Sequence, residues 1–179
     1  MMRRVGVALL LAGAACSGAV GEGTGAGGRD SGAAGRGIQR GSLEVMNVVA
    51  PAPVPGSDST STVAAYFQVM NEGPVPDTLY RVEAADGRAS MHDQEARGAR
   101  QSMIPILSAV LPAGTMLRFA PGGQHVMTAG VRRALPAGDS LPLTLYFRRA
   151  GSIPVSARIV EYADLERALG AGADAHAGH

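Results

Sequence analysis

Residues 138–159 read GDSLPLTLYFRRAGSIPVSARI, and their pattern decides the fold. Leu141, Leu143, Leu145 and Phe147 alternate with Pro142, Thr144, Tyr146 and Arg148; Ile153, Val155, Ala157 and Ile159 repeat the device. Successive side chains on a strand point to opposite faces, so a period of two buries one face and wets the other. A helix would need apolar residues every three or four positions. Working outward, Val63, Ala65, Phe67 and Val69 form another clean set, and Leu43, Val45 and Val49 share a face that Asn47 interrupts. Turn signals punctuate these runs. Leu-Pro-Ala-Gly begins at Leu111 and again at Leu135, with Pro second and Gly fourth, as type I turns prefer. Ala120-Pro121-Gly122-Gly123 has Pro second and Gly third, as type II requires. The Pro-rich residues 51–58 read as a loop. Several short strands with regular turns predict an all-β chain, an antiparallel Greek-key sandwich or barrel. Only Asp164 to Leu169 has helical spacing, with Asp164 placed to cap it and Leu165, Ala168 and Leu169 on one face.

The flanks differ from this centre. Residues 1–15 carry Arg3 and Arg4, then an apolar run, then small residues, which is the order of a secretory signal. The run is too short to span a bilayer, which takes about 20 apolar residues. Cys16, the only cysteine, stands where a bacterial lipoprotein would be cleaved and acylated; ordinary cleavage at a nearby Ala is the competing reading. Residues 16–41 are Gly/Ala-rich without apolar periodicity and read as a flexible tether. This leaves one domain, 42–162, followed by a short helix and a tail, 163–179, that ends in ADAHAGH with His176 and His179.

Within the domain, soft donors recur at a specific spacing. His92, Met103, His125 and Met127 form H-x10-M-x21-H-x-M. A lone His is usually a surface residue and a lone Met usually core filler. Together, two imidazoles and two thioethers suit a borderline-to-soft ion, Cu(I) above all, and not Mg²⁺ or Ca²⁺, which take oxygen. If residues 125–127 are extended, His125 and Met127 face one way and Val126 the other. The preceding Pro-Gly-Gly turn leads into that pair, and the polar residues 93–102 read as a hairpin that returns Met103 towards His92. Leu117, Phe119 and Val126 are expected to face inward and hold the ligand strands. Met91 and Met116 are either a soft outer rim or ordinary core and surface residues.

Other chemistries lack their parts. A blue-copper carrier needs a Cys thiolate, and thiol exchange needs cysteine, yet Cys16 lies outside the domain. No nucleophile-elbow motif is present, and His92 and His125 have no supporting carboxylate beside them, so no enzyme is expected. The net charge of +1 gives no footing for nucleic acid.

The spacing and its surroundings resemble the PCuAC family of periplasmic copper chaperones. VAAYFQVMN (Val63 to Asn71) resembles that family's AAYxxxxN strand, and Leu111 to Met127 and Gly138 to Gly151 are similar to it as well. The likeness covers roughly Leu43 to Glu161. It departs in the first strand, which lacks an aromatic residue, and in the hairpin DQEARGARQS. The resemblance implies a cupredoxin-like domain that holds one Cu(I) on His92, Met103, His125 and Met127. It further implies a periplasmic carrier supplying the dinuclear copper centre of cytochrome oxidase, or another copper assembly factor, with a lipid anchor at Cys16. Copper buffering or tolerance is the alternative, as is an interaction domain whose metal site is vestigial. At the tail, an auxiliary Cu(II) on His176 and His179 stands against simple solvated histidines.

Overall fold

The computed structural model describes residues 37–53, 61–97 and 100–170; the signal-like segment, Cys16, the tether up to residue 36, His176 and His179 lie outside them. Eleven strands follow in chain order: β1 (Ile38–Arg40), β2 (Leu43–Pro51), β3 (Ser61–Asn71), β4 (Asp77–Ala84), β5 (Arg88–Arg97), β6 (Arg100–Ile106), β7 (Ala109–Leu111), β8 (Met116–Phe119), β9 (His125–Val131), β10 (Ser140–Phe147) and β11 (Gly151–Val160). A 3-10 turn (Tyr162–Asp164) and one short helix, α1 (Leu165–Gly170), close the described chain. The strands pair in the order β6-β5-β9-β3-β2-β11-β10-β4-β7, with β1 added to β2 and β8 to β3.

The alternation expected from sequence is what buries the core. Leu141, Leu143, Leu145 and Phe147, then Ile153, Val155, Ala157 and Ile159, then Val63, Ala65, Phe67 and Val69 all lie inside one cluster. Phe67 stacks on Phe119 at 4.5 Å between centroids, an arrangement that adds to the gain from burial alone. The result is an all-β, cupredoxin-like fold. One pair, β2 with β11, runs parallel, joining Val49 to Arg158. No turn chemistry reports a contact between residues so far apart in the chain.

β3 is long enough to serve two sheets. Its first half, Ser61 to Ala65, pairs with β9, and Phe67 to Met70 pair with β8. Between β8 and β9 the chain leaves β3 in the Ala120–Gln124 turn, closed by Gly123 N–H donating to the Ala120 carbonyl at 3.1 Å. Gly122 stands third in it with φ +81°, as the type II reading requires.

Three local expectations need correction. Val49 does not share the face of Leu43 and Val45: those two enter the main core, whereas Val49 packs with Val160, Leu165 and Leu169 in a second cluster. The cause is Asn47, whose φ of +53° places it in the left-handed region. The ladder with β3 slips there, three residues on β2 spanning two on β3. One extra residue turns every later side chain over. Neither Leu-Pro-Ala-Gly run makes the expected type I turn: in the first, Gly114, at φ +67°, donates its N–H to the Asn71 carbonyl rather than to Leu111, and in the second Asp139 N–H donates to the Pro136 carbonyl, which makes Gly138, at φ +92°, the third residue of a type II-like turn. Asp164 does not cap α1. It belongs to the preceding 3-10 turn and pairs with Arg167 at 2.8 Å.

Asn47 gives the fold's first test. Asn47→Val forces a β-branched residue into the left-handed region and should cost about 2 kcal/mol or more. Asn47→Gly keeps the backbone and should stay within about 1 kcal/mol of the parent. Urea unfolding midpoints at constant slope check both.

Candidate metal centre

The sheet places the four soft donors on one surface. β5 lies between β6 and β9. Across the β5–β9 ladder, His92 stands opposite His125 and Ser90 opposite Met127. Across β5–β6, Gln94 stands opposite Met103 and His92 opposite Pro105. Directly opposed residues share a face, and residues two apart on a strand share it too. His92, Met103, His125 and Met127 therefore all project to the same side. Val126 is fully buried on the other side, as expected. The hairpin returns Met103 to a position one rung from His92.

Side-chain geometry sharpens the grouping. The His92 and His125 rings are stacked at 5.9 Å with 19° between their planes. His125 Nε2 lies 3.3 Å from Met103 Sδ. At the other nitrogen, Nδ1–H donates to the Gly123 carbonyl at 2.9 Å. A carbonyl cannot donate, so the neutral ring carries its proton on Nδ1 and aims the Nε2 lone pair at the sulfur. Two acceptors facing each other at that distance suit a shared cation. His92 Nε2 meets Ser90 Oγ at 2.9 Å. Its Nδ1 is buried without a hydrogen-bond partner.

Exposure grades the four donors. His125 is 5% exposed, whereas Met103, on the outermost strand β6, is 55% exposed; His92 and Met127 lie between. Phe119 and Val126 are buried in the core and Leu117 packs partly against it. Met91 is a core residue, pointing away from the donors, because it lies one position from His92. Met116 pairs with Met70 near the far end of β3. Neither forms a rim around the donors.

Tyr66, in the VAAYFQVMN stretch of β3, stands beside this group. It packs against His125 at 6.4 Å between ring centroids and on its other side against the Val49–Leu165–Leu169 cluster. The Gln68 amide and, more weakly, Asn47 donate to the Leu169 carbonyl and hold α1 in place. The signal available was parity: Ala64 lies opposite Met127, and Tyr66 is two residues along the same face. Ser90 and the Gly123 carbonyl were missed because a hydroxyl and a backbone oxygen carry no motif. Among the described residues no three His, Cys, Asp or Glu side chains gather as a metal cluster, so thioethers are needed to complete a ligand set here.

Solved structures share this fold. The copper-bound PCuAC domain from PmoF2 superposes with a TM-score of 0.59 at 24% identity, covering 70% of this chain and 98% of that domain. The apo PCuAC domain from PmoF1 gives 0.58 at 27% identity over 70% and 99%. Residues 43–159 match the family described as "Putative lipoprotein LpqE-like". The chain belongs to that LpqE-like family. A protein of Leifsonia xyli subsp. xyli described as "Putative lipoprotein Lxx21020" is 31% identical over 103 residues, which span 55% of this chain and 61% of that relative. Among the described residues no helix is long and apolar enough to cross a membrane.

Burial of Tyr66 raises its phenol above the ordinary value of 10, and Tyr162 adds to the shift. The neutral form is thus favoured in the fold: the stabilisation is fully present below about pH 10 and lost as pH rises through the folded value. Tyr146, whose hydroxyl donates to Glu83, is raised as well, so an ultraviolet titration should show late-ionising tyrosines, and Tyr66→Phe should remove the contribution of one of them. Met103→Leu, at an exposed position, should move stability by no more than about 0.5 kcal/mol, checked by urea unfolding.

Proposed function

We propose that the domain is an extracytoplasmic carrier that binds one Cu(I) as cargo between His92, Met103, His125 and Met127. The observation that carries this is the His125 Nε2 to Met103 Sδ approach of 3.3 Å with the Nε2 lone pair facing the sulfur. One small ion placed between the two atoms would be within reach of both. The donor set is neutral and holds no thiolate, so it takes a soft monovalent ion and cannot be lost to disulfide formation in an oxidising compartment. The copper-bound PCuAC domain from PmoF2, alike in fold, supports copper as that ion. The orphan Nδ1 of His92 fits the same reading.

The finer points are also proposals. The lipoprotein family supports secretion through residues 1–15 and a lipid anchor at Cys16, with residues 16–41 as the tether and 42–162 as the working domain. The recipient is the dinuclear copper centre of cytochrome oxidase, on the strength of the PCuAC resemblance. The role is carriage and not catalysis: the hydroxyl beside the histidines, Ser90 Oγ at 2.9 Å from His92 Nε2, has no carboxylate on the far nitrogen of that ring to complete a triad.

Anaerobic titration with Cu(I) against a competing chelator, followed by X-ray absorption, should give one ion with two nitrogen and two sulfur neighbours. A shell of oxygen and nitrogen alone would overturn the assignment. Met127→Leu keeps side-chain volume nearly constant, so the fold should survive while copper affinity falls. Unfolding of this variant with affinity retained would make Met127 a packing residue instead.

A further inference from the structure

Ser90 and His92 lie two apart on β5, on the face that carries the donors, and Ser90 Oγ is 2.9 Å from His92 Nε2. His92 Nδ1 is shielded from solvent and meets no partner. Two proton arrangements are open. In one, the serine hydroxyl donates to Nε2 and Nδ1 carries the proton, leaving a buried N–H with no acceptor. In the other, Nε2–H donates to Oγ and Nδ1 is left as a buried lone pair. Orphaned N–H donors are the rarer defect in folded proteins, and a lone pair is the one that a cation satisfies. The second arrangement wins.

We propose that Ser90 is a positioning residue that fixes His92 as its Nε2–H tautomer, so that His92 offers Nδ1 to the cation while His125 offers Nε2. The two histidines are then oriented by opposite nitrogens: His125 by Nδ1–H on the Gly123 carbonyl, His92 by Nε2–H on the Ser90 hydroxyl. Donation of the second ring N–H to a neighbour is the usual way a ligating histidine is held, and loss of such a partner typically costs about 10–100-fold in metal affinity. The identity of the cation rests on the copper reading above; the tautomer stands also on the rarity of a buried N–H without an acceptor.

Long-range ¹H–¹⁵N correlation of the imidazoles in the metal-free, ¹⁵N-labelled chain tests this first. His92 should show a protonated Nε2 and an unprotonated Nδ1; the reverse would overturn the proposal. Ser90→Ala should mix the two tautomers and lower Cu(I) affinity about 10–100-fold, with the urea midpoint unchanged and with Ser90→Thr restoring both. An unaltered tautomer and affinity in Ser90→Ala would sink the role. On adding Cu(I), the ¹⁵N shift of Nδ1 should move for His92 and that of Nε2 for His125; movement at His92 Nε2 instead overturns the assignment. Failure of any Cu(I) to bind would remove the carrier reading, while the metal-free tautomer would still decide what Ser90 does.

Discussion

The register between β5 and β9 is the constraint from which the donor group follows. Met91 stands opposite Val126 on that ladder, and both are buried in the core. A slip of one residue would drive His92 and Ser90 inward and expose Met91, so the apolar pair holds the alignment. The same rungs, seen from the other side, set His92 against His125 and Ser90 against Met127. The soft donors thus inherit their placement from packing on the opposite face. The turn that separates β8 from β9 then adds the Gly123 carbonyl, which orients the one imidazole that is almost fully enclosed.

Much of this was legible in the chain because period two is a direct record of which side of a sheet is dry. The strands β3, β10 and β11 followed from it, as did the opposed facing of Val126 and the pair His125 and Met127. The Pro-Gly-Gly turn was legible because only glycine adopts its third position freely. What escaped lacks a local signal. The parallel β2–β11 pair depends on residues over a hundred positions apart. Ser90 gains its meaning only once β5 and the His92 ring are in place. The likeness to PCuAC domains lies in three stretches of the chain, and the solved PCuAC domains share its fold.

Asn47 shows how one residue can partition a protein. By inserting itself into β2 it sends Ala50 to the main core and Val49 to the opposite surface, where a small second cluster forms. That cluster is what α1 sits on, with Leu169 held by Gln68 and Asn47. Tyr66 leans on it from one side and on His125 from the other. The helix therefore buttresses one wall of the donor group although no donor lies on it.

The position of Met103 carries a hazard that the sequence itself addresses. Its strand, β6, ends the sheet order, and a terminal strand presents unpaired backbone groups on which another chain can crystallise into a growing sheet. Pro105 interrupts that row. It has no N–H to offer, and proline in a sheet is tolerated at such an edge. The thioether of Met103 is thus left open to the surroundings on a strand that has one donor fewer to offer a neighbouring chain.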